Sequence, residues 1–286
     1  MKKLNNKVAA ITGAGSGIGR ALALNLAQQG CHLALSDVNK NGLTETVNEA
    51  RGYGVEVSYR VLDVAKREDV YAWADEVVAE HGKVNLIFNN AGVALSGTVD
   101  ALSIEDYEWI MDINFWGVIY GTKAFLPHLE AAGEGHIVNI SSVFGLTSQP
   151  LMSGYNASKF AVRGFTESLR QDLELTGSRV SCTCVHPGGI KTNIARDARV
   201  SDSVAAVTGA SIDSTLAEFE KMFIHTPDSA AKVILNAVKK NKRRVLIGAD
   251  ARIFDGLARV LPTGYQSLFT KAISWRSSVV RSKQSA

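Results

Sequence analysis

The chain has 286 residues, of which 46% are hydrophobic and 21% charged, with a formal net charge of +3. That composition belongs to a folded globular protein large enough to bury a core, and it excludes a disordered or fibrous chain. No apolar run approaches the roughly 18 residues of a membrane-spanning helix, and Met1–Lys7 has no apolar signal core. Three cysteines are too few for a disulfide framework, so a reducing cytoplasm is the expected setting. Charge is uneven: residues 239–286 carry 11 Lys and Arg against two Asp, a balance of +9, and the remainder carries −6.

In chain order, short and mostly apolar runs predict strands at 8–12, 32–36, 56–62, 86–89, 136–140, 179–185 and 244–247. Being apolar on both faces, they suit strands covered by helices on both sides. Helix-length segments alternate with them at 18–29, 41–52, 67–81, 103–131, 153–176 and 227–240. The alternation predicts an α/β fold, a doubly wound parallel sheet of about seven strands (a Rossmann fold) with a helical C-terminal extension. Residues 1–250 are expected to form this domain, with a substrate lid at about 190–225 where the alternation breaks. Residues 251–286 are expected to form a basic amphipathic helical tail. Cys182 and Cys184 are read as packing residues on opposite strand faces, not metal ligands, and the six histidines lack zinc-ligand spacing. No metal site is expected.

The first strand runs into Thr12-Gly13-Ala14-Gly15-Ser16-Gly17-Ile18-Gly19 and then an Ala/Leu-rich helix. Glycines there let backbone approach a pyrophosphate, and the helix N-terminus supplies free N–H groups. The second strand ends near Asp37, an acid placed to accept hydrogen bonds from an adenosine ribose and to repel a 2′-phosphate. No Lys or Arg stands at Ala14, Ser16 or Val38, which argues for NAD over NADP. Asp63-Val64 and Asn89-Asn90-Ala91-Gly92 end the third and fourth strands. After the fifth come Ser141-Ser142, then Tyr155 and Lys159. The last two are four apart and share a helix face. A tyrosine ionises near pH 10, and a neighbouring ammonium favours the phenolate and lowers that value. With Ser142 on the reacting oxygen, this is a kit for acid–base chemistry on an alcohol or carbonyl.

Together these motifs resemble the short-chain dehydrogenase/reductase family over about residues 5–250, Pro187-Gly188 and Thr192 included. The resemblance implies Tyr155 as acid/base, Lys159 holding the nicotinamide ribose and tuning Tyr155, and Ser142 orienting the reacting oxygen. Asn114 would complete the set by holding a relay water. Gly13, Ser16, Gly17, Ile18 and Gly19 would cradle the pyrophosphate, while Asp37 and Val38 would face the adenosine ribose. Asp63 and Val64 would flank adenine, with Asn90, Ala91 and Gly92 along the adenosine side. Pro187, Gly188, Ile190 and Thr192 would hold the nicotinamide carboxamide. His186 is read as a packing residue.

The pocket edge is expected to be apolar: Val93, Leu95, Val143, Phe144, Leu151 and Met152, with Ile194, Ala195, Val200, Val204, Val207, Leu216, Phe219 and Phe223 from the lid. The expected substrate is a small hydrophobic alcohol, ketone or aldehyde. An NADPH-dependent 3-ketoacyl-type reductase and a non-catalytic NAD(H) sensor are the alternatives. In the tail, apolar residues recur at helical spacing beside Arg252, Arg259, Lys271 and Arg276. Packing on the body or on another subunit is one reading of them; peripheral membrane contact is the other. No nucleic-acid recognition motif occurs, and the helices at 103–131 and 153–176 are expected to pair copies into a homodimer or homotetramer.

Overall fold

Apolar runs with no polar face can satisfy their backbone only by pairing, and can hide their side chains only under helices. The computed structural model, which describes residues 1–221 and 223–284, meets both needs with one parallel sheet. The first half comprises β1 (Val8–Thr12), α1 (Gly17–Ala27), β2 (His32–Asp37), α2 (Lys40–Arg51), β3 (Val57–Val61), α3 (Arg67–His81) and β4 (Leu86–Asn89). Next come β5 (Leu95–Ser96), α4 (Ile104–Met111), α5 (Gly117–Ala131), β6 (Gly135–Ile140), α6 (Ser153–Leu175) and β7 (Val180–Pro187). Then follow β8 (Arg199–Val200), α7 (Ser203–Thr208), α8 (Ile212–Lys221), α9 (Pro227–Lys239), β9 (Arg244–Ile247), α10 (Ala249–Val260) and α11 (Gly264–Gln284).

The sheet order is β3-β2-β1-β4-β6-β7-β9. The chain reverses direction across the sheet between β1 and β4, and the crevice at such a switch point is where open α/β sheets bind ligands. One sheet face carries Ile11, Leu33, Leu35 and Val185 against α1, α2 and α9. The other carries Ala10, Ile87 and Ile137 against α3, α5 and α6, with Trp73 edge-on to Phe125 at 5.1 Å. Each fully buried Leu or Ile contributes roughly 1.5–3 kcal/mol, so the sheet ends are held rigidly.

Three expectations need correction, and one feature was not foreseen. The helix expected over 103–131 is interrupted by a π-helical turn at Asp112–Trp116, which carries Asn114. Strand β3 is not covered on both faces: Tyr59 is 46% and Val61 48% exposed, because β3 lies at the sheet edge. Cys182 and Cys184 share a face, since strand residues two apart do. The Cys182 thiol donates to Thr166 O at 3.5 Å, and Thr166 is also the hydrogen-bond partner of Cys184. The unforeseen feature is a two-stranded sheet that ties the 190–225 segment to the body, with Leu95 paired to Arg199 and Ser96 to Val200.

The tail turns part of its apolar surface inward. Phe254, Tyr265 and Phe269 form an edge-to-face cluster, α11 packs on α7, and the Ser148 N–H donates to the Tyr265 hydroxyl at 3.1 Å. Ile253, Val260, Leu268 and Trp275 remain exposed. The side chains of Phe219 and Arg276 lie outside the described residues.

Candidate active site

The glycine loop closes on its neighbours so tightly that side chains are excluded. Gly13 and Gly17 have φ of +65° and +52°, a conformation glycine adopts at little cost. A β-carbon at Gly13 would stand 2.9 Å from Ala91 Cα, and one at Gly19 would strike the Gly13 carbonyl. Thr12 stitches β1 to β4: its hydroxyl accepts from the Asn90 and Ala91 N–H groups, each at 3.0 Å. The Asn90 amide donates to Thr12 O at 2.9 Å and Gly13 O at 3.2 Å, so Asn90 braces the loop from below. Ser16 is the N-cap of α1 and its side chain makes no capping hydrogen bond. The hydroxyl of this exposed residue is thereby left for another acceptor or donor.

At the end of β2, Asp37 Oδ2 accepts from the Gly15 N–H at 2.8 Å and Oδ1 from the Asn39 N–H at 2.8 Å. The carboxylate is thus aimed by the loop itself. Arg20, in the first turn of α1, is bridged to the α2 residues Glu45 at 3.0 Å and Glu49 at 2.9 Å, so its guanidinium is already paired. Val38 is exposed, and Val64 is buried against Gly117. Asp63 accepts from the Ala65 N–H at 3.0 Å, opening the turn into α3.

Asn114, Ser142, Tyr155 and Lys159 converge, all buried. Asn114 accepts from the Val93 N–H at 2.8 Å and donates to the Ser158 hydroxyl at 3.1 Å. A β-carbon at Gly92 would lie 3.1 Å from Asn114 Oδ1 and 3.3 Å from Lys159 Nζ. Lys159 Nζ donates to Ile140 O at 3.2 Å and stands 5.6 Å from the Tyr155 ring centroid. Burial pushes its ammonium down to about 8. Burial likewise raises the Tyr155 phenol, opposed by a hydrogen bond from Ser142. This corrects the expectation of a lowered phenol: desolvation is the larger influence, and the hydrogen bond from Ser142 only opposes it. The group can still give or take a proton at its oxygen, with Ser142 beside it.

Some of the expected apolar residues gather beside Tyr155. Leu95, Ile110 and Met152 cluster with Tyr155, joined by Val93, Phe144 and Ile194. Within residues 190–225, Ala195, Val204 and Phe223 are buried, whereas Val207 is exposed. Leu151 has φ of +65°, strained for a leucine. On the opposite side, Gly188 donates to Ile247 O at 2.9 Å, Ile190 is buried, and the Thr192 methyl sits 2.9 Å from where a Gly17 β-carbon would be. The turn after β7 therefore closes over the glycine loop.

Sequence reasoning missed three contributors. Thr12 and Gly15 lie within the glycine motif, but only the folded contacts reveal what they do. His186, read as packing, donates from Nδ1 to Ser142 O at 2.9 Å and so fixes the backbone that presents Ser142. Burial holds its imidazole down at about 4, neutral.

A parallel seven-stranded sheet with a glycine loop at its switch point and a buried Ser–Tyr–Lys set defines a nucleotide-dependent oxidoreductase. The short chain dehydrogenase model matches residues 7–202. A Mycobacterium tuberculosis protein named Putative oxidoreductase SadH is 51% identical over 276 residues, covering 96% of this chain and 98% of that one. Human estradiol 17-beta-dehydrogenase 11 is 30% identical, covering 96% and 85%. A short chain dehydrogenase/reductase from Burkholderia phymatum, solved in complex with NAD, superposes with a TM-score of 0.85 at 34% identity, covering 93% and 97%. The chain belongs to the short-chain dehydrogenase/reductase family and is an oxidoreductase.

Proposed function

We propose that the protein transfers hydride between NAD(H) and a small hydrophobic alcohol, ketone or aldehyde. The observation that carries this reading is the buried Ser142–Tyr155–Lys159–Asn114 set opening onto an apolar cluster, with Asp37 pinned at the end of β2. The residues present fit the nucleotide: β-carbons are excluded at Gly13 and Gly19, and Asp37 is positioned to accept from a ribose. Two solved relatives, from Burkholderia phymatum and Mycobacterium paratuberculosis, hold NAD. A Thermococcus sibiricus alcohol dehydrogenase of similar fold holds 5-hydroxy-NADP.

When bound, NAD supplies the hydride acceptor and NADH the donor. Gly13, Ser16, Gly17, Ile18 and Gly19 hold the pyrophosphate. Asp37 and Val38 hold the adenosine ribose, Asp63 and Val64 the adenine, and Asn90, Ala91 and Gly92 the adenosine side. Pro187, Gly188, Ile190 and Thr192 hold the carboxamide side. Tyr155 takes the alcohol proton at its phenolic oxygen during oxidation and returns it during reduction. Ser142 orients the substrate oxygen. Lys159 stabilises the phenolate, and Asn114 fixes the backbone of residue 93 beside it. The apolar cluster excludes water from the reacting centre.

Residues 1–250 form the dehydrogenase domain with its lid at 190–225, and 251–286 form the tail. The protein works in the cytoplasm as a homodimer or homotetramer, for which exposed Trp116 and Phe160 on the α5 and α6 side supply apolar surface. Among the described residues no helix is long and apolar enough to cross a membrane. The tail's exposed Ile253, Val260, Leu268 and Trp275, beside Arg252, Arg259 and Lys271, support a peripheral contact with anionic lipid. Sedimentation with vesicles of phosphatidylglycerol tests that contact, and full-length protein left wholly in the supernatant refutes it.

The activity itself is tested by nicotinamide absorbance with NAD or NADP and a panel of secondary and long-chain alcohols, Tyr155→Phe as control. Turnover with NAD that vanishes in the variant is expected. Turnover only with NADP would favour the ketoacyl-type reductase. Tight NADH binding with no turnover in either direction would favour a sensor.

A further inference from the structure

Both ends of the lid meet at one point. Ile190 and His225 form an isolated parallel bridge: the Lys191 N–H donates to His225 O at 2.9 Å, and the His225 N–H to Gly189 O at 3.1 Å. Against this bridge lies Asp250, the second residue of α10. Its Oδ2 accepts from the Gly189 N–H at 2.7 Å. Its Oδ1 faces His225 Nε2 at 3.6 Å. Both of these facing atoms are buried, and neither has a hydrogen-bond partner among the described residues. Two glycines make the room. A β-carbon at Gly188 or at Gly248 would collide with the Asp250 carboxylate, and one at Gly248 would also press on the His225 imidazole.

We propose that Asp250, with His225, is a positioning clasp. It pins the 187–190 turn and both lid ends in the arrangement that receives the nicotinamide side of the cofactor. This rests on the reading of that turn given under Proposed function. A carboxylate oxygen buried without a donor is costly, so its retention here calls for a compensating role. Three features supply one. The bond from the Gly189 N–H is charge-assisted. The first turn of α10 favours an acid. Opposite the second oxygen stands His225 Nε2 at 3.6 Å, which comes from the far end of the lid. Cofactor turn, lid and C-terminal helix are therefore joined through one side chain, which acts on the reaction only through the backbone that it holds. The sequence after β9 is thus more than an appendage: α10 sets the geometry of a turn some sixty residues earlier in the chain.

The test uses full-length wild-type protein, Asp250→Ala and Asp250→Asn. It measures NADH affinity by fluorescence, KM for NAD, kcat and melting temperature. The asparagine keeps an oxygen for the Gly189 N–H; the alanine keeps nothing. Asp250→Ala is expected to raise the NADH dissociation constant and the KM for NAD by about tenfold or more, with kcat changed much less. Asp250→Asn is expected to recover most of that loss. Asp250→Ala binding NADH as tightly as wild type overturns the clasp. So does an equal fall in melting temperature, KM performance and kcat in both variants, which a purely structural residue would give. Wild-type protein that binds no NADH at all overturns the functional reading instead, so the two failures are told apart.

Discussion

Asp37 and Gly15 are built as one unit. The Gly15 N–H donates to Asp37 Oδ2 at 2.8 Å, and a β-carbon on Gly15 would stand 2.9 Å from that same oxygen. The acid at the end of β2 is thus held by the glycine loop, not merely near it. Its second oxygen accepts from Asn39 at the start of α2. Under the proposed function, a carboxylate fixed from two sides is expected to oppose a 2′-phosphate.

Replacing Asp37 with Ser should therefore raise the KM for NAD by about tenfold, the value of one charge-assisted hydrogen bond, and make NADP usable. Initial rates with each cofactor across a concentration series measure this. An unchanged ratio of NAD to NADP efficiency would mean that another group sets the preference.

Tyr155→Phe removes only the phenolic oxygen from a buried ring packed edge-on to Phe144 at 6.3 Å. The fold should be kept, with kcat falling by roughly 100-fold or more, the usual contribution of a positioned acid or base. Circular dichroism and initial rates separate the two effects. In wild type, alcohol oxidation needs the phenolate and should climb with pH, because burial holds the phenol above its ordinary value. Carbonyl reduction needs the protonated phenol and should stay flat across neutral pH. Parallel profiles in the two directions would contradict the assignment.

Lys159→Met should make the protein more stable and inactive. Burial lowers the ammonium to about 8, whereas an unfolded lysine titrates near 10.4. Between those values the unfolded chain binds more protons, so wild-type stability rises with pH across that window. Below about 8 the full cost of burying the charge is present, on the order of 1–3 kcal/mol. The gain from Met, read by urea unfolding, should be largest near pH 7 and shrink by pH 10. A variant less stable than wild type at pH 7 would show that the hydrogen bond to Ile140 outweighs desolvation.

Acid should destabilise the protein through two buried histidines. His136 is held down at about 3 and His186 at about 4, both chiefly by burial. An unfolded histidine titrates near 6.5. As pH falls below that value the unfolded chain takes up protons that the native state refuses. Stability is therefore present above about 6.5 and lost toward 4, by about 1.4 kcal/mol per pH unit for each group. His136→Gln should flatten that slope even if it weakens the protein at pH 7. An identical slope in the variant would assign acid sensitivity to other groups.

Much of this is legible in the amino-acid order. The strands at 8–12 and 86–89 fall where the apolar runs place them, because a strand buried on both faces has no choice but to be apolar, and the edge strand at 244–247 falls where its run does too. The glycine spacing and the Tyr155–Lys159 pair are equally local signals: one follows from backbone torsion, the other from the helical repeat. The lower half of helix 103–131 was less readable, because a π-helical turn keeps the composition of an α-helix while shifting its register. That shift puts Asn114 against Val93.

What the amino-acid order determined by itself is therefore the alternation of elements, the parallel sheet and the spacing of the proposed acid–base residues, all of which depend on short-range pattern. Only the tertiary structure decided the rest. It paired Ile190 with His225, set Asp250 against Gly189, bound His186 to the Ser142 backbone and enclosed Tyr155 so that burial holds its phenol above the ordinary value. Each of these joins residues far apart in the chain, and solvent exclusion arises only when the layers close. No local pattern encodes either one.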